Sequence, residues 1–378
     1  MSGLMGIAGA WQRIGLGLAF LVAVGLGITG EAAQPSLVVM ISLLAAVLLS
    51  LLVENAGARG RPRWLVALVL LAIWNALFIA AIGLAFRQTG AEGAAFWAAV
   101  IAVWLGGWML VAVLADMRLR RGLAGRLQAL LAPVVFGLTL IWFWEALVRA
   151  LDVPRVILPT PSRIAARIGA ETGLLWTDFV QTFVKGALSG FAIGVGAAVV
   201  FALVVDRFDF LRRGLLPVGN FLAALPIIGT APIFVMWFGF DWPSKAAVVV
   251  AMVFFPMLVN TVQGLASTEA MQRDLMHTWS ANWVQTLLSL RLPAAMPFIF
   301  NGLKISATLA LIGAIVAEFF GSPTRGMGFR ISTEVGRLQL DMVWAEIAVA
   351  ALVGSAFYGL WALLERRVTF WHPSQRGR

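Results

Sequence analysis

Ten apolar runs constrain this chain more than any other feature of its sequence. They lie at Ile14–Thr29, Ser36–Val53, Trp64–Phe86, Ala94–Ala115, Ala129–Leu147, Val180–Val205, Leu215–Phe238, Ala246–Gly264, Phe298–Phe320 and Trp344–Leu364. Most reach or approach the roughly 20 residues that a helix needs to cross the hydrocarbon core of a bilayer. In that solvent every backbone N–H and C=O must be satisfied within the protein, which leaves only helices and closed barrels. A barrel would show short segments of alternating polarity, and these runs do not alternate. The chain is 61% hydrophobic and 12% charged, against about 25% charge in a soluble domain. The expected fold class is therefore an all-α polytopic membrane protein with ten transmembrane helices.

A formal net charge of +10 suggests either a nucleic-acid partner or a membrane topology, and the positions of the charges decide between them. With the N-terminus in the cytoplasm, the inward segments hold 17 Lys and Arg residues and the outward segments hold 9. That bias places both termini in the cytoplasm. It also accounts for the charge without nucleic acid. There are no cysteines, and only His277 and His372 could supply imidazole. Disulfides, thiolate sites and an all-protein transition-metal site are thus not expected, and no cofactor is called for. The first run is short and Glu31-Ala32-Ala33 is a poor signal-peptidase site, so it reads as a span; the alternative is a removable signal peptide, whose loss leaves the later topology unchanged.

The basic, glycine-containing stretch Asp116–Arg126 divides the chain. Residues 1–126 form a four-helix extension with this linker, and residues 127–378 form a six-helix core. The core contains one long polar interruption, Leu265–Pro297, which the charge bias places in the cytoplasm. Within it, Leu275, Trp279, Trp283 and Leu287 recur at helical spacing, giving an apolar stripe suited to a protein partner or a lipid surface. Pro293 and Pro297 are expected to stop that helix and turn the chain into the next span. In Leu215–Phe238, Pro217, Pro226 and Pro232, together with Gly229, interrupt the helix. Broken helices at membrane depth are tolerated where they line a water-filled cavity. Lys304 is expected to reach headgroups or the polar loop, Lys185 to snorkel, and Glu145 and Glu346 to be structural. The tryptophans Trp64, Trp142, Trp144, Trp344, Trp361 and Trp371 sit at span ends and read as interfacial anchors. Glu318 lies near the outer end of its span and is a candidate by default, because ionisable groups are costly there.

Several segments carry a family resemblance. They are Val153–Ser162; Leu225-Pro226-Ile227-Ile228 through Pro232, with Trp237-Phe238-Gly239; Leu292–Ile305; and Ala310–Phe319. From about Leu131 to His372 the chain resembles the permease subunit of ABC importers of the nitrate/sulfonate/taurine type. The family's cytoplasmic signature is Glu-Ala-Ala, three residues, Gly, nine residues, Ile, any residue, Leu-Pro. In register with Leu292-Pro293, it places Leu290 at the Ile position, Ser280 at the Gly position and Asp274-Leu275-Met276 at the Glu-Ala-Ala positions. If the family's turn is kept, a serine at the glycine position costs about 1 kcal/mol.

The resemblance implies a multi-pass protein of the bacterial inner membrane. It implies a short helix, with Asp274, Leu275, Met276, Trp279, Ser280, Leu290, Leu292 and Pro293, that couples to a separate ABC ATPase subunit. It further implies an extracytoplasmic solute-binding protein and a second permease subunit, identical or homologous. Pro226, Gly229, Pro232 and Glu318 are the pathway candidates. The chain itself is not expected to be an enzyme, since it has no G-x-x-x-x-G-K-[ST]; Gly321–Gly328 reads as an outer loop. The expected function is passage of a small solute, of the nitrate, sulfonate, taurine or vitamin-precursor class. The alternatives are an ion-coupled transporter, which would need acids or histidines deep in its spans, and a non-transporting membrane scaffold.

Overall fold

The computed structural model describes residues 104, 111, 123–208, 210, 211, 214, 227–321 and 324–372. The first four expected spans, the segment 215–226 and the four-helix extension lie outside the described residues, apart from isolated positions. The described residues are helical, with no strand among them. The chain separates into two units, Met1–Arg163 and Ile164–Arg378.

In the first unit, α1 spans Leu123–Ala150 and runs through Pro133. Near its C-terminal end Glu145 is tied to Arg149 at 2.5 Å, and it accepts hydrogen bonds from the Ser162 backbone N–H at 2.8 Å and hydroxyl at 2.7 Å. Ser162 lies in the first turn of α2, Pro161–Ala170. An acid at a helix N-terminus satisfies donors that have no intrahelical acceptor, so Glu145 is structural, as its position suggests.

The second unit is built around one helix. It contains α3 (Thr172–Phe179), a π-helical stretch Val180–Leu188, α4 (Ser189–Arg207), α5 (Ile227–Phe238) and α6 (Trp242–Ala266). Beyond these come α7 (Ala270–Thr278), α8 (Trp283–Thr286), a π-helical turn Leu287–Arg291, α9 (Leu292–Phe320), α10 (Met327–Gly336) and α11 (Leu340–Val368). Five stretches of the described residues are long and apolar enough to cross a membrane: Ala132–Ala150, Thr172–Arg207, Trp242–Ala266, Trp283–Phe320 and Leu340–Val368.

In lipid, apolar burial offers little drive, so helices associate by close packing of small residues. The central helix α6 shows this. Gly190 and Gly194 of α4 sit so close to it that an added Cβ would lie 2.5 Å from Val249 Cβ and 2.4 Å from Val253 Cγ2. On the α9 side, a Cβ on Gly302 would lie 2.8 Å from Met257 Sδ. Buried Ala198, Ala202, Val253, Met257, Ala307, Ala310 and Phe357 make this core continuous across α4, α6, α9 and α11.

Several expectations are corrected here. The helix expected from Val180 begins at Thr172, because polar Thr177, Asp178 and Gln181 hide its first turns from a hydropathy reading. The helix expected from Phe298 begins at Leu292. Pro293 stands in its first turn and Pro297 in its second, and neither stops it. The preceding π turn, in which the Leu292 N–H bonds the Leu287 carbonyl, widens the helix where Pro293 lacks a donor. Helix α5 likewise runs through Gly229 and Pro232, at the loss of one intrahelical hydrogen bond. Lys245, one residue before the run expected at Ala246–Gly264, lies in the first turn of α6 at 1% exposure, and its Nζ donates to the Phe240 carbonyl. Lys304 pairs with Glu365 of α11 at 2.7 Å, not with headgroups or the loop. Trp142 is buried, and Trp361 packs on Phe191 at 5.5 Å; these two are core residues, not interfacial anchors.

Candidate functional site

Between α6 and α9 the chain leaves the bundle and returns, and α7 stands on this excursion with no buried residue. Its start is set by Glu269, in extended conformation, whose backbone N–H donates to Gln272 Oε1 at 3.1 Å. Its end is a Schellman motif: the Ser280 N–H bonds the His277 carbonyl at 2.9 Å, and the Ala281 N–H bonds the Met276 carbonyl at 3.0 Å. Such a cap needs a residue in the left-handed region just past the helix. Ser280 occupies it with φ 54°. The left-handed turn that a glycine would permit is therefore present although the residue is serine.

Asn282 then restarts the chain. Its Oδ1 accepts from the Gln285 N–H, and its own N–H donates to Gln285 Oε1, both at 2.8 Å, a reciprocal cap. The expected single stripe is thus broken between Trp279 and Trp283. Leu275 and Trp279 remain exposed, at 53% and 73%, and Met271 joins them at 80%. Leu287 is buried against Leu265 and Ala295 instead. Asp274, Leu275, Met276, Trp279 and Ser280 therefore lie on α7 and its cap. Leu290, Leu292 and Pro293 form a separate, half-buried group where the chain rejoins the bundle.

Arg291 fixes that junction. Its Nη1 and Nη2 grip both oxygens of Asp206, at the end of α4, at 2.7 and 2.6 Å, while its Nε donates to the Leu265 carbonyl at 3.1 Å. The neighbouring Arg207 guanidinium lies 5.8 Å from the Trp283 ring centroid. Arg273 closes the near side of the loop on the Thr268 carbonyl at 2.5 Å. The sequence reading missed Asp206: the pair is 85 residues apart, and no spacing rule reaches across that distance.

At the far end of α9 lies a second polar cluster. Glu318 is 2% exposed and accepts from the Thr182 hydroxyl, at 2.8–2.9 Å, and from the Gly328 N–H, at 2.8 Å. The same Thr182 oxygen accepts from the Met327 N–H at 2.7 Å. Asp178, fully buried, accepts from the Gly326 N–H at 2.6 Å and pairs with Arg330 at 2.9 Å. Glu346, also fully buried, lies beside Asp178. Asp178, Thr182 and Glu318 thus pin the start of α10 to α3, the π-helical stretch and α9. Gly326 is needed for both backbone and space: its φ is +120°, and an added Cβ would lie 2.4 Å from Glu318 Oε1. Gly229 and Pro232 lie instead on the exposed face of α5. Those two candidates share that exposed face, Glu318 is buried, and Pro226 lies outside the described residues. The described residues contain no cluster of His, Asp and Glu able to hold a metal ion.

The family described as binding-protein-dependent transport system inner membrane component matches residues 190–370. The riboflavin transport system permease protein of Chloroflexus aurantiacus is 32% identical over 65% of this chain and 91% of its own length. The formylaminopyrimidine transport permease protein of Halalkalibacterium halodurans is 31% identical over 65% of this chain and 97% of its own. This chain belongs to that family. It is an ABC importer permease subunit, a multi-pass membrane protein of a family of transport subunits. The taurine transport system permease protein of Escherichia coli is a further relative, 30% identical over 59% of the chain. The permease carries its loop, Arg291, Asp206 and Glu318 inside the family match, whereas Asp178 and Thr182 lie just before Gly190, where that match begins.

Proposed function

We propose that the permease forms the membrane path of an ATP-driven importer for a small solute and that its loop 265–297 seats on a separate ATPase subunit. One observation carries this reading: α7 is capped at both ends, has no buried residue and presents Met271, Leu275 and Trp279 to its surroundings. Among the described residues nothing buries the apolar face of this short helix. It suits a groove in a partner that must push on it.

On this reading the loop and both termini face the cytoplasm, as the charge bias indicates. Residues 1–126 form a four-helix extension, and residues 127–378 form the six-helix core. A binding protein delivers the solute from outside, and a second permease subunit completes the path, with Pro226, Gly229, Pro232 and Glu318 as its wall candidates in this chain. Asp274, Leu275, Met276, Trp279, Ser280, Leu290, Leu292 and Pro293 make or frame the ATPase contact. The solute belongs to the range for which the relatives are named: riboflavin, formylaminopyrimidine, aliphatic sulfonate and taurine.

Affinity purification of tagged permease from its own organism, with uptake measured in parallel, is the test. An ATPase subunit is expected to co-purify, and alanine at Leu275 and Trp279 is expected to lose both the ATPase and uptake while membrane insertion persists. Uptake that continues without any ATPase would point to an ion-coupled carrier and overturn the reading. An unchanged phenotype in the double variant would do the same.

A further inference from the structure

We infer that Asp206 is a positioning residue that delivers the movement of the loop to α4 through Arg291; the inference rests on the ATPase-docking reading above. Leu265 and Arg291 are 26 residues apart, yet one guanidinium holds both ends of the excursion: Arg291 belongs to the exit, and its Nε binds the entry at the Leu265 carbonyl at 3.1 Å. That carbonyl belongs to the last turn of α6, where no intrahelical donor remains. A loop closed at its base moves as one body, so force on α7 is not lost in stretching the connections at either side.

The two remaining nitrogens of Arg291, Nη1 and Nη2, bond a single target outside the loop. Both Asp206 oxygens are engaged, at 2.6 and 2.7 Å, in the two-pronged geometry that only arginine offers. The Asp206 side chain is 1% exposed, so water and salt compete little for it. Beside it, Arg207 lies over Trp283 on the same stretch of α4. The end of α4 is therefore bound to the loop exit by two successive residues. Because α4 packs against α6 through Gly190 and Gly194 with no slack, a push on the loop reaches the bundle core through α4.

A passive structural pair would give the same geometry, so the test reads transmission. The chain has no cysteine, which permits spin labels at His277→Cys on α7, off the face that carries Met271, Leu275 and Trp279, and at Val200→Cys on α4, both exposed. Distances are measured in the complete complex of permease, ATPase and binding protein, without nucleotide and with ATP trapped. The label distance is expected to be the same in both states, and Asp206→Asn is expected to make it diverge on ATP binding. In that variant, solute moved per ATP hydrolysed should fall roughly tenfold, within the usual range of a lost coupling, while the ATPase stays bound. Arg291→Lys, which keeps the charge and loses the fork, should behave likewise, and it replaces Asp206→Asn in every measurement if that variant does not assemble. A label distance that changes in the unsubstituted complex, or a variant whose distance and transport ratio are unaltered, would overturn the inference. An ATPase that never joins the unsubstituted permease would instead overturn the docking reading itself.

Discussion

Replacing Ser280 by glycine tests the loop architecture at its most strained point. Ser280 holds φ 54° so that its own N–H and that of Ala281 can close the last turn of α7. Left-handed backbone costs a residue with a Cβ roughly 1–2 kcal/mol. Glycine escapes that cost but gives up more freedom on ordering, an opposing effect of about 0.4–1 kcal/mol. The balance favours glycine by about 0.5–1 kcal/mol, equivalent to roughly two- to fivefold in a local opening equilibrium. Hydrogen exchange at the Ser280 and Ala281 amides reads this opening directly. Both amides are expected to exchange roughly two- to fivefold more slowly in Ser280→Gly, and faster in Ser280→Val, whose branched Cβ fits the left-handed region worst. Amides that exchange at the same rate in all three proteins would refute the claim that the cap governs α7.

Two further substitutions address the far end of α9. Gly328→Ala would place a Cβ 2.2 Å from the Ile315 carbonyl oxygen, a backbone atom that cannot yield, and is expected to cost about 1–3 kcal/mol or more. Its thermal midpoint in detergent should fall well below that of Gly229→Ala, where nothing lies within 4 Å. Thr182→Val keeps the shape of the side chain but removes the oxygen shared by Glu318 and the Met327 N–H. It should destabilise by roughly 1–3 kcal/mol, and Thr182→Ser should recover most of that loss in the same melting experiment.

Much of the bundle was legible because a span is a local property of sequence: α1, α6 and α11 follow their apolar runs within a few residues. Helix ends were less legible. The first turns of the span from Thr172 carry Asp178, which serves the cluster around α10, and Gln181, which bonds Asp241, so their polarity masks a helix. Pro293 and Pro297 read as terminators, but they fall in the first two turns of α9, where few bonds are at stake. The loop was legible in register, since counting from Leu292-Pro293 led to Ser280, the residue that takes positive φ. Its break at Ser280–Asn282 was not foreseen, because the four apolar residues keep helical spacing across it. The partners of Arg291, Lys304 and Glu318 lie 85, 61 and 136 residues away, and only folding brings such residues together.

The central claim is that α7 meets an ATPase. A photo-crosslinking residue at Met271, 80% exposed on α7, tests it most directly against one at Trp176, 65% exposed on α3 at the other end of the bundle. In intact membranes the account predicts a crosslink from position 271 to an ATP-binding subunit and none from position 176. A crosslink to that subunit from position 176, or none from 271 in an assembled and active transporter, would contradict it.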